Sequence, residues 1–243
     1  MLEHYEIAKR NGSTKQITTK TRYGSFRMVV GHKDQKEEIQ ENLTEDFWSG
    51  DWLQEVPVEI RQRLTRKRWM DIGAGTGWFS FKMASSLSVK VAASFEVNEN
   101  AFSYIRHNHL SNDNVGIVST HFCMPVAERP SNTHTGEVRV NEDGYMDING
   151  EHTAEVPIEA FADLLVKNRY NALRFNMNGY EKEFLLKGDL SKVEIIFAKL
   201  DSRHYTEKEL TRLMKKMDKR YPEGTQKILN SNESIFIWHS ITK

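Results

Sequence analysis

The sequence predicts an α/β protein: a doubly wound, mostly parallel sheet closed at its C-terminal end by an antiparallel hairpin. Three observations predict it. At Met70-Asp71-Ile72-Gly73-Ala74-Gly75-Thr76-Gly77-Trp78-Phe79 an apolar stretch ends in an acid, three glycines follow, and an aromatic run opens. That is the pattern of a strand turning tightly into a helix. Beyond it, strand-like and helix-like segments alternate, which implies parallel strands joined by crossover helices. Near the end, two short strand-like runs, 226–230 and 234–239, flank Ser231-Asn232 as a hairpin would.

The elements follow in order. Residues 16–30 alternate loosely and break at Tyr23-Gly24-Ser25, which predicts a β-hairpin with Phe26, Met28 and Val30 on one face. A short charged helix is expected over 36–42. Phe47, Trp48 and Trp52 follow it, to cover a ligand or to pack against the hairpin. Residues 58–67 predict a helix; Arg61, Arg63, Arg66, Lys67 and Arg68 read as a solvated basic face, with a phosphate contact as the alternative. Strands are expected at 68–72, 89–96 and 115–120, with helices at 77–86 and 98–110. Residues 131–155 read as a hairpin insertion, with turns at Asn141-Glu142-Asp143-Gly144 and Asn149-Gly150. A helix over 157–167, strands at 172–175 and 193–200, and a helix over 206–219 complete the series. In that last helix Thr206 and Glu209 have the spacing of a capping box. The expected division is an N-terminal extension over 1–67 that packs on a domain spanning 68–243.

Composition narrows the function classes. Thirty-four Lys and Arg balance 34 Asp and Glu, so no global basic field draws the chain onto nucleic acid, and a nucleic-acid partner stays open only through a local patch. No apolar run reaches the roughly 20 residues of a membrane span, and no membrane partner is expected. Met1-Leu2-Glu3-His4 lacks the basic-then-apolar pattern of a signal peptide. Cys123 is the only cysteine, so neither an intrachain disulfide nor a cysteine metal cluster is expected, and a cytoplasmic location is the simplest reading.

The glycine loop carries the chemistry. Its G-x-G-x-G spacing, Gly73, Gly75 and Gly77, differs from the dinucleotide fingerprint, whose third glycine lies one residue later. A pyrophosphate loop has no use for a carboxylate two residues before its first glycine. A ligand with a free ammonium group does, which favours S-adenosylmethionine over NAD and places Asp71 near that group. Ala74, Trp78 and Phe79 are the expected loop neighbours of the cofactor, and the helix start offers N–H groups to a carboxylate. A purely structural turn is the alternative reading. Glu96, in Ser94-Phe95-Glu96-Val97-Asn98, ends the next strand; an acid about 20 residues past such a loop binds ribose hydroxyls. Glu96 and Val97 therefore join the cofactor set, with a helix-start acid as the alternative. In Leu173-Arg174-Phe175-Asn176-Met177-Asn178-Gly179-Tyr180-Glu181 a strand delivers Asn176 and Asn178 to its carboxyl end, facing an acceptor or simply shaping a turn. His121, just past a strand, is a candidate base. His107 and His109 lie two apart on a helix and share no face, and no metal site is expected.

The order of these motifs resembles the FkbM family of class I S-adenosylmethionine-dependent methyltransferases. The resemblance starts near Tyr23-Gly24 and runs through Asp71 to Phe79, Phe95-Glu96 with Asn98, and Ile158-Glu159-Ala160-Phe161 as a helix start. It continues through Gly179-Tyr180-Glu181 with Phe184-Leu185 and ends near Leu200, covering about three quarters of the chain. It implies a Rossmann-like methyltransferase sheet and methyl transfer to a hydroxyl of a sugar or small metabolite. Where the family reads K-I-D-V-E-G-x-E, this chain has Arg174, Asn176 and Asn178, and Lys199 ends a strand where an acid is common. Two amides thus stand where carboxylates are expected. An amide orients an acceptor but does not deprotonate it. An amine or modified nucleobase as acceptor, or a cofactor-binding protein without transfer, are the competing readings.

Overall fold

The computed structural model describes residues 14–21, 24–32 and 56–240, apart from 66, 88, 90, 111, 113–117, 128–132, 223 and 231–232. The expected helix at 36–42 and Phe47, Trp48 and Trp52 lie outside these residues. The elements are β1 (Thr14–Thr21), β2 (Gly24–His32), α1 (Val58–Leu64), β3 (Arg68–Ile72), α2 (Trp78–Leu87), β4 (Val91–Glu96), α3 (Glu99–Leu110) and β5 (Val118–Phe122). Then come β6 (Met124–Val126), β7 (Thr135–Val140), β8 (His152–Ala160), α4 (Phe161–Asn168), β9 (Ala172–Phe175), α5 (Glu181–Lys187) and β10 (Ile195–Leu200). A 3₁₀ turn (Ser202–His204), α6 (Glu207–Arg220), β11 (Thr225–Asn230) and β12 (Glu233–His239) finish the chain.

Seven strands form the central sheet in the order β11-β12-β10-β9-β3-β4-β5. The strands β10, β9, β3, β4 and β5 are parallel. β12 enters antiparallel to β10, and β11 pairs antiparallel with it. This is the doubly wound, Rossmann-like sheet with a closing antiparallel hairpin that the sequence predicts. From β3 the chain winds outward through β4 and β5, then restarts at β9 on the other side. The switch point between β3 and β9 is where such sheets bind ligands, at the carboxyl ends of the strands.

Strand alternation divides the core between the two faces of the sheet. Met70, Ile72, Phe95, Leu173, Phe175 and Ile196 belong to one buried cluster. Trp69, Ala92, Ala172 and Phe197 belong to the other, with Phe79 and Phe81 of α2. Trp69, Phe79 and Phe197 pack ring against ring at 5.2, 5.6 and 5.8 Å. Each such buried side chain contributes about 2 kcal/mol of apolar burial, which fixes α2, and with it the glycine corner, to the sheet.

Two peripheral units flank this core. The hairpin β1-β2 forms where predicted and lies against α2 and α3. The insertion forms a three-stranded sheet, β6-β8-β7. Here one expectation fails: residues 157–160, read as the start of a helix, are strand. Val156 and Ile158 point into the core while Glu155, Pro157 and Glu159 point out, the period of a strand. β8 pairs on both sides, Thr135 with Pro157 and Met124 with Ile158. The helix α4 therefore starts at Phe161, without a side-chain cap.

Candidate functional site

The glycine loop rises from the switch point. Ile72 ends β3 in register with Phe175 and Phe95. The Phe95 carbonyl then accepts from both Gly73 N (3.0 Å) and Ala74 N (3.1 Å), so the chain is drawn across the end of β4 before it turns. Gly73, Gly75 and Gly77 all have positive φ, +72°, +58° and +95°. A side chain at Gly73 would overlap the Asn176 carbonyl oxygen of the neighbouring strand, whereas one at Gly75 would meet nothing within 4 Å. Gly73 thus lets two strands approach, and Gly75 presents bare backbone to open space. Ala74, Thr76 and Gly77 are buried around it.

Glu96 is brought to this loop. Its Oε2 accepts from Gly75 N at 2.6 Å, and its Oε1 accepts from Val97 N (2.8 Å) and Asn98 N (2.9 Å). Burial pushes its carboxyl above the usual range, against the pull of those three N–H donors and of Arg174. Oε1 is filled by its two donors, while Oε2 keeps a lone pair for a ligand hydroxyl. Val97 itself is buried and meets Glu96 through its backbone. Asn98 caps α3 through Ala101 N (2.9 Å) and donates to the Asp143 carbonyl at 2.7 Å. That second bond pins the 141–144 turn of the insertion beside the mouth of the site.

Asp71 lies beneath the loop, fully buried. Its Oδ1 accepts from Arg174 Nη1 at 2.8 Å and its Oδ2 from Ser80 Oγ at 2.8 Å. Phe79 is buried in the aromatic cluster under the sheet, and Trp78 is 4% exposed. These three residues support the loop from below instead of lining its open side. Sequence reasoning missed Arg174 in this role. Asp71 and Arg174 are partners only through the β3-β9 register, which no local pattern encodes.

The 176–181 segment divides its labour. Asn176 is half-buried at the end of β9, and its side-chain amide has no partner among the described residues. Asn178 has φ +47°, donates from Nδ2 to the Met146 carbonyl (2.8 Å), and accepts at its own carbonyl from Ile148 N (3.1 Å). It holds the insertion against the sheet, so the turn-forming reading describes its geometry. Glu181, buried, gathers Met177 N, Gly179 N (2.8 Å) and Tyr205 Oη (2.7 Å). Its signal was the acid directly after an Asn-Gly-Tyr turn, where it can accept the turn's own N–H groups.

His121 is half-exposed on β5. Its ring stacks on Phe95 at 4.7 Å, and Nε2 lies 3.2 Å from Ser119 Oγ. Burial holds its pKa below the ordinary value, only partly offset by the Glu159 carboxylate. β5 and β9 are three strand spacings apart, about 14 Å, so His121 and Asn176 do not converge on one atom. No described helix is long and apolar enough to cross a membrane.

No family model matches the chain, and no curated protein matches it. Solved structures do. TrmK of M. capricolum, determined with S-adenosyl-homocysteine, is 12% identical at a TM-score of 0.44, over 76% of this chain and 67% of its own. Precorrin-6y C5,15-methyltransferase of Geobacter metallireducens is 14% identical at 0.43, over 75% and 87%. TYW2 of P. horikoshii, determined with MeSAdo, is 15% identical at 0.40, over 74% and 60%.

Proposed function

We propose that the chain is an S-adenosylmethionine-dependent methyltransferase. One observation carries the reading: the acid that ends β4 and the bare apex of the glycine loop meet, Glu96 Oε2 to Gly75 N at 2.6 Å. A ribose bound over Gly75 would have its hydroxyls within reach of that carboxylate. The site fits a nucleoside: open space over Gly75 and a spare lone pair on Glu96 Oε2. Gly73, Ala74, Gly75 and Gly77 shape the cradle, Glu96 and Val97 bound the ribose, and Asp71, Trp78 and Phe79 fix the cradle from beneath.

S-adenosylmethionine supplies an electrophilic methyl group. The chain's part is to align an acceptor with it and to exclude water, which needs no strong base. The insertion, tethered by Asn98 and Asn178, walls the side on which an acceptor enters. Asn176 offers an uncommitted amide there to orient the nucleophile. The FkbM resemblance favours a hydroxyl of a sugar or small metabolite. The Asn176 amide, whose carbonyl suits an N–H donor, favours an amine as the second reading. His121, kept neutral near pH 7, can accept a proton at a ring nitrogen, but only from an acceptor lying over β4 and β5.

Calorimetry with S-adenosylmethionine, S-adenosylhomocysteine and NADH tests the cofactor. The two sulfur compounds are expected to bind; binding of NADH alone overturns the proposal. Transfer of labelled methyl into glycan, nucleoside and amine panels tests the acceptor. Tight cofactor binding with no transfer to any panel would make the chain a binding protein.

A further inference from the structure

A pair of opposite charges lies under the glycine loop, on the face of the sheet that α2 covers. Ser94, Asp71 and Arg174 stand side by side across β4, β3 and β9, in register, and all three are buried. Strand alternation puts them on the same face as Trp69, Ala92 and Ala172. Ser80 of α2 closes the row, accepting from Ser94 Oγ (2.8 Å) and donating to Asp71 Oδ2 (2.8 Å). Arg174 Nη1 donates to Asp71 Oδ1 at 2.8 Å and also to the Gly73 carbonyl at 2.7 Å. Its guanidinium carbon lies 5.6 Å from the centre of the Phe79 ring.

One cation therefore holds both the acid and the first carbonyl of the loop. Both Asp71 oxygens are engaged from within the protein, and the acid has no exposed surface to offer. A buried charge pair is strongly coupled: losing one partner strands the other, while replacing both is close to neutral. We propose that Arg174 is the positioning residue of the glycine loop and Asp71 its counter-ion, so that Asp71 does not itself hold the ammonium group of the ligand. The proposal rests on the reading of the loop as an S-adenosyl site, and it reverses the role the sequence suggests for the acid.

The test compares the wild type, Arg174→Met, Asp71→Asn and the double variant. Two ligands are used: S-adenosylhomocysteine, and 5′-methylthioadenosine, which has the same nucleoside and no amino-acid tail. Either single substitution is expected to weaken both ligands by the same factor, about tenfold, and the double variant to recover only the part due to the stranded charge, because the bond to the Gly73 carbonyl stays missing. Without ligand, amide exchange at Gly73, Ala74 and Gly75 should accelerate about tenfold in Arg174→Met while β10 and β12 stay protected. The proposal is overturned if Asp71→Asn or the double variant weakens S-adenosylhomocysteine alone, because that places Asp71 on the ammonium. It is equally overturned if loop exchange does not change. If the wild type binds neither ligand, the S-adenosyl reading fails, and the exchange result still decides the positioning role. Should Arg174→Met not fold, the double variant and Arg174→Lys carry the same readouts.

Discussion

At the scale of single residues, glycines that look equivalent in the sequence do different work. At Gly73 a methyl group would overlap the Asn176 carbonyl of the adjacent strand, and φ is +72°. Gly73→Ala therefore combines a left-handed penalty with overpacking and should cost about 3 kcal/mol or more, seen as a lower urea midpoint. Gly75 has open space and φ +58°. Gly75→Ala should cost only about 1 kcal/mol but put a methyl into the open space where the proposed ligand would lie, so its expected signature is lost S-adenosylhomocysteine affinity in a folded protein. The spacing of the loop was legible, but which glycine faces a neighbour and which faces open space depends on β9, a hundred residues away. The same applies to Asp71, whose partner Arg174 is found only through strand register. Cys123 gives a third test at this scale. It is buried, and desolvation together with the Glu159 carboxylate pushes its thiol up to about 12. The thiolate is the reactive form, so Cys123 should resist Ellman's reagent near neutral pH and react fully in denaturant; stoichiometric labelling of the native protein would contradict this.

At the scale of elements, the parallel strands and the capping box were legible because local rules dictate them. β3 and β9 have the predicted bounds. On α6, Thr206 Oγ1 accepts from Glu209 N (3.2 Å) and Glu209 Oε2 from Thr206 N (3.0 Å). The β8-α4 boundary was not legible, since Pro157 mimics a helix start and only pairing with β6 and β7 makes it strand. The insertion depends on one residue whose two properties can be separated. Asn178 supplies a left-handed backbone and a bond to the Met146 carbonyl. Asn178→Gly keeps the backbone and loses the bond, about 1 kcal/mol. Asn178→Ala loses both, about 2 kcal/mol. Chemical unfolding should rank Ala below Gly. Equal stability of the two variants would mean that the amide alone, and not the turn, acts at this site.

At the scale of the whole molecule, a buried carboxyl and a half-exposed imidazole near the site tilt stability with pH in opposite directions. Burial raises the Glu96 carboxyl above 4.5. The folded state then binds the proton more tightly than the unfolded one, so this contribution is complete below about pH 4.5 and is lost as pH rises through the raised value. Burial lowers His121 below 6.5. Here the unfolded chain binds the proton more tightly, so the contribution is complete above about pH 6.5 and is lost as pH falls toward the depressed value. Between these limits the two slopes oppose one another, and the wild type shows only their difference. Substitution should separate them. Glu96→Gln removes the term that falls with pH, so its stability should climb more steeply than the wild type's from about pH 5 to about pH 7. His121→Asn removes the term that rises, so its stability should climb less steeply or decline over the same interval. Urea unfolding of the three proteins at both pH values measures this directly. Parallel pH profiles would mean that neither group is desolvated on folding as the stack on Phe95 and the closed contacts of Glu96 require. Bound nucleoside adds a further consequence. On the proposed reading, ribose hydroxyls would donate best to an ionised Glu96, so binding should favour the charged form, pull its pKa back down, and make ligand stabilisation larger on the alkaline side of the same window.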